Sequence, residues 1–160
     1  MSYRIGLGTD FHQLVTERKL WLGGIEIPHS KGALGHSDAD VLLHAICDAL
    51  LGALNLGDIG IHFPDSDKSL KDIDSKILLE KTFQLIRQKG FLVVNLDTVI
   101  CLEKPRIMGF APEMRAVIAR ILDISPDDIS IKATTTEKLG FIGREEGLMA
   151  QAVVLLRKPD

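Results

Sequence analysis

The stretch from Gly35 to Leu50 holds the residues best placed to do chemistry. Asp40, His44 and Asp48 recur at intervals of four, so on a helix their side chains lie along one stripe. The residues around them are apolar on almost every side, which is typical of a buried helix. Because a buried carboxylate is costly unless it is paired or bound to a cation, the stripe predicts a cation site. The alternative is a core histidine, His44, held by Asp48.

A second chemical pattern lies near the N-terminus. Residues 3–12 alternate in polarity like a strand, and Asp10 and His12 are two apart, so on extended backbone they point to the same side. Together with the helical His44 they form a set of one carboxylate and two imidazoles, which suits zinc with a fourth coordination position open. The alternative is chance, because Asp-x-His is a common spacing.

A third pattern, Lys132 to Phe141, leaves a predicted strand and enters a predicted helical turn. Its three threonines, Thr134–Thr136, offer hydroxyl groups at a helix N-terminus, which favours an anion. Glu137 adds a carboxylate, and that mixture indicates a divalent cation that bridges protein to phosphate. The alternative is a threonine N-cap with Glu137 completing a capping box. Arg144 is interpreted either as an anion-binding arginine or as a packed surface side chain.

The loop of residues 55–67 is rich in glycine, proline and aspartate, and loops of this kind often carry function. Asp58 is predicted either to accept hydrogen bonds from sugar hydroxyls or to stabilise a turn. His62 has no partner at metal-ligand spacing and is interpreted as incidental.

Local patterns predict the elements that must position these residues. Ser37 is predicted to cap the central helix, with Asp40 three residues later completing a capping box. Glycine and proline mark the ends of several other segments. The predicted helices are 41–54, 74–89 and 112–122, and the predicted strands are 3–12, 91–101, 129–133 and 147–157, with a hairpin over 20–28.

The 160 residues suffice for one domain with a single core, residues 1–160. The mixture of strands and helices favours an α+β fold, a two-layer sandwich of a mixed sheet with helices on one face. The sequence leaves the strand order open.

Composition restricts the class of protein. The net charge is -3 without a basic stripe, so no nucleic-acid partner is expected, and no apolar run reaches 18 residues, so no membrane span is expected. Cys47 and Cys101 are predicted to be free, buried thiols, which suits a reducing, cytoplasmic setting. An organellar form whose transit peptide has been removed stays open.

Four separated motifs together resemble one family. They are Gly-Thr-Asp10-x-His12, Gly-His36-Ser37-Asp38-x-Asp40-x-x-x-His44, Leu-Gly-Asp58-Ile-Gly60-x-x-Phe63-Pro64-Asp65, and Lys132-Ala-Thr-Thr-Thr-Glu137-Lys-Leu-Gly-Phe141-x-Gly-Arg144. They occur in the family's order across Arg4 to Leu156, and the chain resembles the 2-C-methyl-D-erythritol 2,4-cyclodiphosphate synthases of the non-mevalonate isoprenoid pathway.

The resemblance implies that 4-diphosphocytidyl-2-C-methyl-D-erythritol 2-phosphate is converted into the 2,4-cyclodiphosphate with release of CMP. It also implies a homotrimer with active sites between neighbouring subunits. Zinc would be held by Asp10, His12 and His44, and a second divalent cation, Mg²⁺ or Mn²⁺, by Glu137. The resemblance assigns stabilisation of the transition state to His36 and Thr135.

The resemblance implies further contacts with the substrate, which extend along the metal-binding strand, the 58–67 loop and the region that would hold the nucleotide from the adjacent subunit. The implied substrate-binding residues are Asp10, Phe11, His12, His36, Ser37, Asp58, Ile59, Gly60, Phe63, Pro64, Asp65, Ser66, Asp67, Leu102, Glu103, Lys104, Pro105, Arg106, Ile107, Met108, Thr134, Thr135, Thr136, Glu137, Phe141 and Arg144. Phe141 and Arg144 match residues that line a cavity on the trimer axis, where an isoprenoid diphosphate is proposed to bind. Two positions depart from the usual family pattern, because Thr9 replaces a common phenylalanine and Arg106 a usual lysine.

Three hypotheses accompany this assignment. Asp40 and Asp48 are predicted to orient the metal-binding histidines. A phosphohydrolase would use the same zinc with a bound water as nucleophile. A sensor of cytidine nucleotides or isoprenoid diphosphates would bind its ligand and release no CMP.

Overall fold

The structure, a computed structural model, describes residues 2–160. The strands of this part of the chain are β1 (Ser2–Thr16), β2 (Leu20–Leu22), β3 (Ile25–Ile27), β4 (Lys31–Leu34), β5 (Leu92–Cys101), β6 (Ile129–Thr134) and β7 (Gly147–Lys158). The α-helices are α1 (Val41–Ala53), α2 (Ile59–His62), α3 (Ser75–Gln88), α4 (Ala111–Leu122) and α5 (Gly140–Gly143). The predicted strands, hairpin and three long helices are confirmed to within a few residues, whereas β4 and α2 were not predicted. The helical turn predicted within 132–141 is α5, which begins only at Gly140.

Five strands form the main sheet in the order β4-β1-β7-β5-β6, and β2 and β3 form a separate hairpin. β5 and β6 run parallel while the other neighbours are antiparallel, so the sheet is mixed. The central helix α1 packs on β1 and β7, and α3 packs on α1. The prediction of an α+β sandwich with helices on one face is confirmed.

Two glycines of β1 allow α1 to approach the sheet very closely. A Cβ atom on Gly6 would lie 1.9 Å from the Ala49 carbonyl oxygen, and one on Gly8 would lie 2.0 Å from that of Ala45. Both clashes are with helix backbone, which no side-chain rotation relieves. Glycine at these positions therefore sets the distance between β1 and α1.

The other face of the sheet carries large apolar side chains that are exposed in a single chain. Ile5 is 70% exposed, Leu7 64% and Phe11 53%. A face of this kind is unusual on a monomer, because contiguous apolar surface tends to mark an interface.

The central helix begins differently from the prediction. Its N-cap is Asp40, whose side chain accepts a hydrogen bond from the Leu43 amide, and the prediction of a Ser37 N-cap was wrong. Asp40 also accepts hydrogen bonds from the Gly23 and Gly24 amides, at 3.0 and 2.7 Å. One buried carboxylate thus ties the β2–β3 turn to the start of α1.

The three threonines do not lie at a helix N-terminus, so that prediction was also wrong. Thr134 ends β6, and the next helix begins only at Gly140. Between them Glu137 and Lys138 have positive φ angles, which are incompatible with a continuous right-handed helix. The Thr136 hydroxyl donates to the Leu139 carbonyl at 2.6 Å and stabilises this turn instead.

Two smaller predictions concern thiols and membranes. Both cysteines are free, as predicted. The prediction that both are buried is confirmed for Cys47 and wrong for Cys101, which is only half-buried at the end of β5. Within residues 2–160 no helix has the length and apolarity that a membrane crossing requires.

Candidate functional site

The side chains of Asp10, His12 and His44 meet at one point. Asp10 Oδ2 lies 3.0 Å from His12 Nε2 and 3.1 Å from His44 Nδ1. The two imidazole nitrogens are 3.2 Å apart. Within the described chain these residues form a group of potential metal ligands, which confirms the predicted convergence.

Strand β1 and helix α1 bring these three side chains together. The extended backbone of β1 directs Asp10 and His12 to the same side, and His44 lies in the first turn of α1. The close approach at Gly8 holds this turn against the strand. The donor set is thus assembled by contacts between backbones.

The neighbours of His12 leave one ring nitrogen free for a metal. His12 Nδ1 lies 2.9 Å from the Leu34 carbonyl oxygen, which only accepts hydrogen bonds. Nδ1 therefore carries the proton, and the lone pair of Nε2 faces Asp10 and His44. Two imidazoles and a carboxylate that converge in this way fit a zinc-type donor set with room for further ligands.

The ionisation of the metal-binding side chains reflects their mutual contacts. Burial raises the pKa of Asp10, but hydrogen bonds and charge interactions with His12 and His44 outweigh it and lower the pKa to about 2. Burial lowers the pKa of His44, and the Asp10 carboxylate outweighs that effect and raises it. Asp10 is therefore an anion at neutral pH, as metal binding requires.

The other two acids of the predicted stripe do not orient the histidines. Asp40 binds the backbone amides of Gly23, Gly24 and Leu43. Asp48 accepts a hydrogen bond from the Ile59 amide at 2.7 Å and so anchors the 58–67 loop to α1. The hypothesis that they orient the metal-binding histidines is wrong, because the ring nitrogens of His12 and His44 have other partners, namely Leu34, Asp10, Ser37 and Ser75.

The metal-ligand cluster opens into a cavity of about 540 Å³. Most of the residues expected around the methylerythritol phosphate line it. The lining residues are Asp10, His12, Gly35, His36, Ser37, His44, Ile59, Gly60, Phe63, Pro64, Asp65, Ser66, Leu70, Ile73 and Leu78. We call this cavity the metal-side cavity.

Two further residues stabilise the rim of the metal-side cavity. Asp58 caps α2, because its Oδ1 accepts a hydrogen bond from the Ile61 amide at 3.0 Å. The turn-stabilising interpretation of Asp58 is confirmed. His36 Nε2 lies 3.2 Å from the Asp67 carbonyl oxygen, which connects the two loops that frame the opening.

A second cavity, of about 260 Å³, lies between the end of β5 and the end of β6. We call it the β5–β6 cavity. Its lining residues are Leu102, Glu103, Pro105, Arg106, Ile107, Met108, Ala133, Thr134 and Thr135. Among residues 2–160, the two cavities have no lining residue in common.

Several other expected residues are not among the lining residues of either cavity. Lys104 pairs with Glu145 at 3.0 Å, and Glu137 is exposed, with its amide donating to the Thr135 hydroxyl. The rings of Phe11 and Phe141 are 6.2 Å apart.

Arg144 has a carboxylate partner within its own chain. It donates to Glu146 through two hydrogen bonds, of 3.0 and 2.9 Å. Its charge is therefore already balanced.

Sequence reasoning missed Ser75, which lies behind His44. The His44 Nε2 atom lies 2.8 Å from the Ser75 hydroxyl and 3.2 Å from that of Ser37. Ser75 in turn donates to Asp38. Ser75 is 31 positions from His44 and opens another helix, so no local spacing could have linked them.

Comparison with known proteins identifies the family of this chain. The family model described as "YgbB family" matches residues 3–157. The chain belongs to the YgbB family. A protein of Phocaeicola vulgatus named 2-C-methyl-D-erythritol 2,4-cyclodiphosphate synthase is 59% identical over the full length of both chains. A protein of Geobacillus kaustophilus with the same name is 58% identical over 98% of this chain and 99% of its own.

Solved structures are also similar to this chain over almost its whole length. The bifunctional IspDF from Campylobacter jejuni superimposes with a TM-score of 0.95 and 41% identity, covering 99% of this chain and 43% of its own. The present chain thus corresponds to less than half of that longer protein. The CDP complex of Plasmodium falciparum IspF gives a TM-score of 0.88 at 34% identity, over 99% of this chain and 98% of that one.

Proposed function

We propose that this chain converts 4-diphosphocytidyl-2-C-methyl-D-erythritol 2-phosphate into 2-C-methyl-D-erythritol 2,4-cyclodiphosphate and CMP, a phosphorus–oxygen lyase reaction that supplies isoprenoid precursors. The observation that carries the proposal is the convergence of Asp10, His12 and His44 at the edge of the metal-side cavity. Full-length similarity to proteins named for this synthase supports it.

In the proposed reaction an oxygen of the 2-phosphate bonds to the β-phosphorus of the same molecule. The bond from the β-phosphorus to the bridging oxygen breaks, and its electron pair leaves with CMP. The nucleophile is already an anion, so the protein has no need of a strong general base. Its tasks are to hold the tethered groups in line, which recovers up to roughly 7–11 kcal/mol of barrier, and to neutralise charge.

Different residues of this chain are proposed to position the reacting groups and to neutralise their charge. Asp10, His12 and His44 would hold zinc, which when bound supplies a positive charge that polarises the β-phosphate. His36 and Ser37 line the metal-side cavity and are proposed to position the methylerythritol phosphate, with Asp58 and Gly60 beside the erythritol. His36 and Thr135 are proposed to stabilise the transition state.

The nucleotide is proposed to bind at the β5–β6 cavity of a neighbouring subunit, because the metal-side cavity is lined by other residues. Arg106 lines the β5–β6 cavity and offers a planar, bidentate donor to phosphate. Glu137 is exposed nearby in sequence and is proposed to hold Mg²⁺ or Mn²⁺ against the diphosphate. The CDP bound in the Plasmodium falciparum relative supports a cytidine nucleotide as the ligand class.

A homotrimer is proposed to bring the two cavities together. The apolar outer face of β1, with Ile5 and Leu7 exposed in one chain, provides surface for subunit contacts. Phe141 and Arg144 are proposed to line a cavity on the trimer axis that takes an isoprenoid diphosphate. Because Glu146 already pairs with Arg144, such a ligand must compete with a carboxylate of this chain.

Release of CMP from the authentic substrate, measured with and without a chelator, tests the function. We expect one CMP and one cyclic product per turnover, loss of both in chelator, and recovery on adding Zn²⁺. In ¹⁸O-labelled water the cyclic product should stay unlabelled, whereas label in the product would indicate a phosphohydrolase. Binding of substrate with zinc present and without CMP release would contradict the proposal and favour a sensor.

A further inference from the structure

Behind the metal-ligand cluster, a hydrogen-bonded chain runs from His44 into the protein. His44 Nε2 lies 2.8 Å from Ser75 Oγ, and the Ser75 hydroxyl donates to Asp38 Oδ1. The Ser75 backbone amide donates to Asp38 Oδ2 at 3.0 Å. Ser75 is fully buried, so water does not compete for these hydrogen bonds.

The direction of each hydrogen bond follows from the groups involved. A carboxylate accepts only, so the single hydroxyl proton of Ser75 is directed to Asp38. Ser75 Oγ then has only lone pairs to offer to His44. An unprotonated Nε2 would place two lone pairs 2.8 Å apart, so Nε2 carries a proton. In the neutral ring the lone pair is therefore on Nδ1, which faces Asp10.

The second hydroxyl near this nitrogen does not decide the tautomer. Ser37 Oγ is farther from Nε2, at 3.2 Å, and accepts a hydrogen bond from the Ala39 amide. Its own proton is not committed to a carboxylate, so it is compatible with either tautomer of His44. Ser75 is constrained because Asp38 holds its proton.

We infer that Ser75, oriented by Asp38, is a positioning residue that fixes His44 in the tautomer with a free Nδ1 and so prepares the metal site. The inference rests on the proposed function, because it concerns the metal of the same site. Hydrogen-bond partners of metal ligands of this kind change metal affinity by roughly 10–100-fold when removed.

Zn²⁺ affinity, measured by competition with a chromophoric chelator, tests the inference in four variants of the full chain. We expect Ser75→Ala to bind Zn²⁺ roughly 10–100-fold more weakly than the parent protein. Asp38→Asn should also weaken binding, and the double variant should bind about as weakly as Ser75→Ala alone, because Asp38 acts through Ser75. Ser130→Ala, at an exposed position of β6, is the matched control and should bind normally.

The tautomer of His44 gives a readout that a general loss of packing would not reproduce. ¹⁵N shifts of its ring in metal-free protein, at a pH where the ring is neutral, should show a protonated Nε2. In Ser75→Ala the signal should shift toward a mixture of tautomers. If Ser75→Ala unfolds, Ser75→Cys is the alternative variant, because its thiol fills a similar space and is a weaker hydrogen-bond acceptor than the hydroxyl. We expect the Zn²⁺ affinity of Ser75→Cys to be lower than that of the parent protein and higher than that of Ser75→Ala.

Three results would overturn the inference: unchanged Zn²⁺ affinity in folded Ser75→Ala, multiplicative losses in the double variant, or a neutral His44 ring protonated on Nδ1 in the parent protein. Failure of the proposed function is separable from these. If the chain releases no CMP but its Zn²⁺ affinity still depends on Ser75, the positioning role stands and the reaction does not.

Discussion

Asp58 shows how one side chain serves structure and is proposed to serve function as well. Its carboxylate caps α2 through the Ile61 amide, and this exposed position borders residues of the metal-side cavity. Asparagine is as good an N-cap as aspartate, so Asp58→Asn should leave the free energy of unfolding within about 0.5 kcal/mol of the parent value.

Substrate turnover should respond differently. If the Asp58 carboxylate accepts hydrogen bonds from sugar hydroxyls, a neutral amide makes them weaker, and kcat/KM should fall about tenfold in Asp58→Asn. Steady-state CMP release and urea unfolding measure the two effects. Asp58→Ala should lose both activity and about 1 kcal/mol of stability. Full turnover in Asp58→Asn would limit Asp58 to capping.

At the scale of single residues, the sequence predicts the metal ligands well, but it does not predict the groups that form hydrogen bonds with them. Asp10 and His12 share a strand, and a period of two is enough to place them on one side. Ser75 supports His44 from another helix, and Leu34 supports His12 from a strand that was not predicted. Contacts of this kind depend on how helices and strands pack together. The spacing of residues along the chain does not predict that packing.

Among the elements, the start of α1 depends on the ionisation of Asp40. Asp40 is fully buried, and burial raises its pKa to about 6 from an ordinary value of 3.8. The folded chain thus holds this proton more tightly than the unfolded chain. Asp40 therefore contributes less to stability as pH rises from about 4 to 6, by up to about 3 kcal/mol.

Comparison of the parent protein with Asp40→Asn isolates this effect, because asparagine does not titrate. We expect the difference in free energy of unfolding, parent minus variant, to decrease between pH 4 and pH 7. Urea unfolding of metal-free protein at several pH values measures it. A difference that stays constant or increases with pH would contradict the prediction.

The close contact between β1 and α1 leads to a second prediction at the scale of secondary-structure elements. A Cβ on Gly8 would lie 2.0 Å from the Ala45 carbonyl oxygen, so Gly8→Ala must push the helix away from the strand. We expect a loss of about 3 kcal/mol or more in stability and weaker Zn²⁺ binding, since His44 would move away from Asp10.

Gly109→Ala is the matched control for Gly8→Ala. Apart from its own chain neighbours, no atom lies within 4 Å of a Cβ built at Gly109, so stability should change by less than about 1 kcal/mol. Urea unfolding and chelator competition test both variants. Parent-like stability in Gly8→Ala would show that the two backbones separate at little cost.

The helices and strands could be predicted because each carries its own periodicity and end signals, as α3 does between Asp74 and Gly90. The errors fall where a distant group changes the outcome. Ser37 is a plausible N-cap in isolation, but the hairpin amides of Gly23 and Gly24 draw Asp40 into that position.

For the whole molecule, the separation of the metal-side cavity from the β5–β6 cavity makes the strongest prediction. His44→Ala disables the first cavity and Thr135→Ala impairs the second. If each active site uses one cavity from each of two neighbouring subunits, some sites in a mixed oligomer have both cavities intact. In a trimer that contains both variants that fraction is about one third, because one of the three pairs of neighbours contributes two intact cavities.

Co-expression of the two variants with different tags, followed by tandem purification, provides the mixed oligomers. Each variant alone should release CMP slowly, while the purified mixed trimers should recover about a third of the parent rate per subunit, because one of their three sites is intact. If both cavities of one chain formed the same site, mixing could not restore activity, because every chain would carry a defect. A mixed oligomer no faster than the average of its parents would therefore refute a site shared between subunits, even if the metal cluster of Asp10, His12 and His44 binds zinc as proposed.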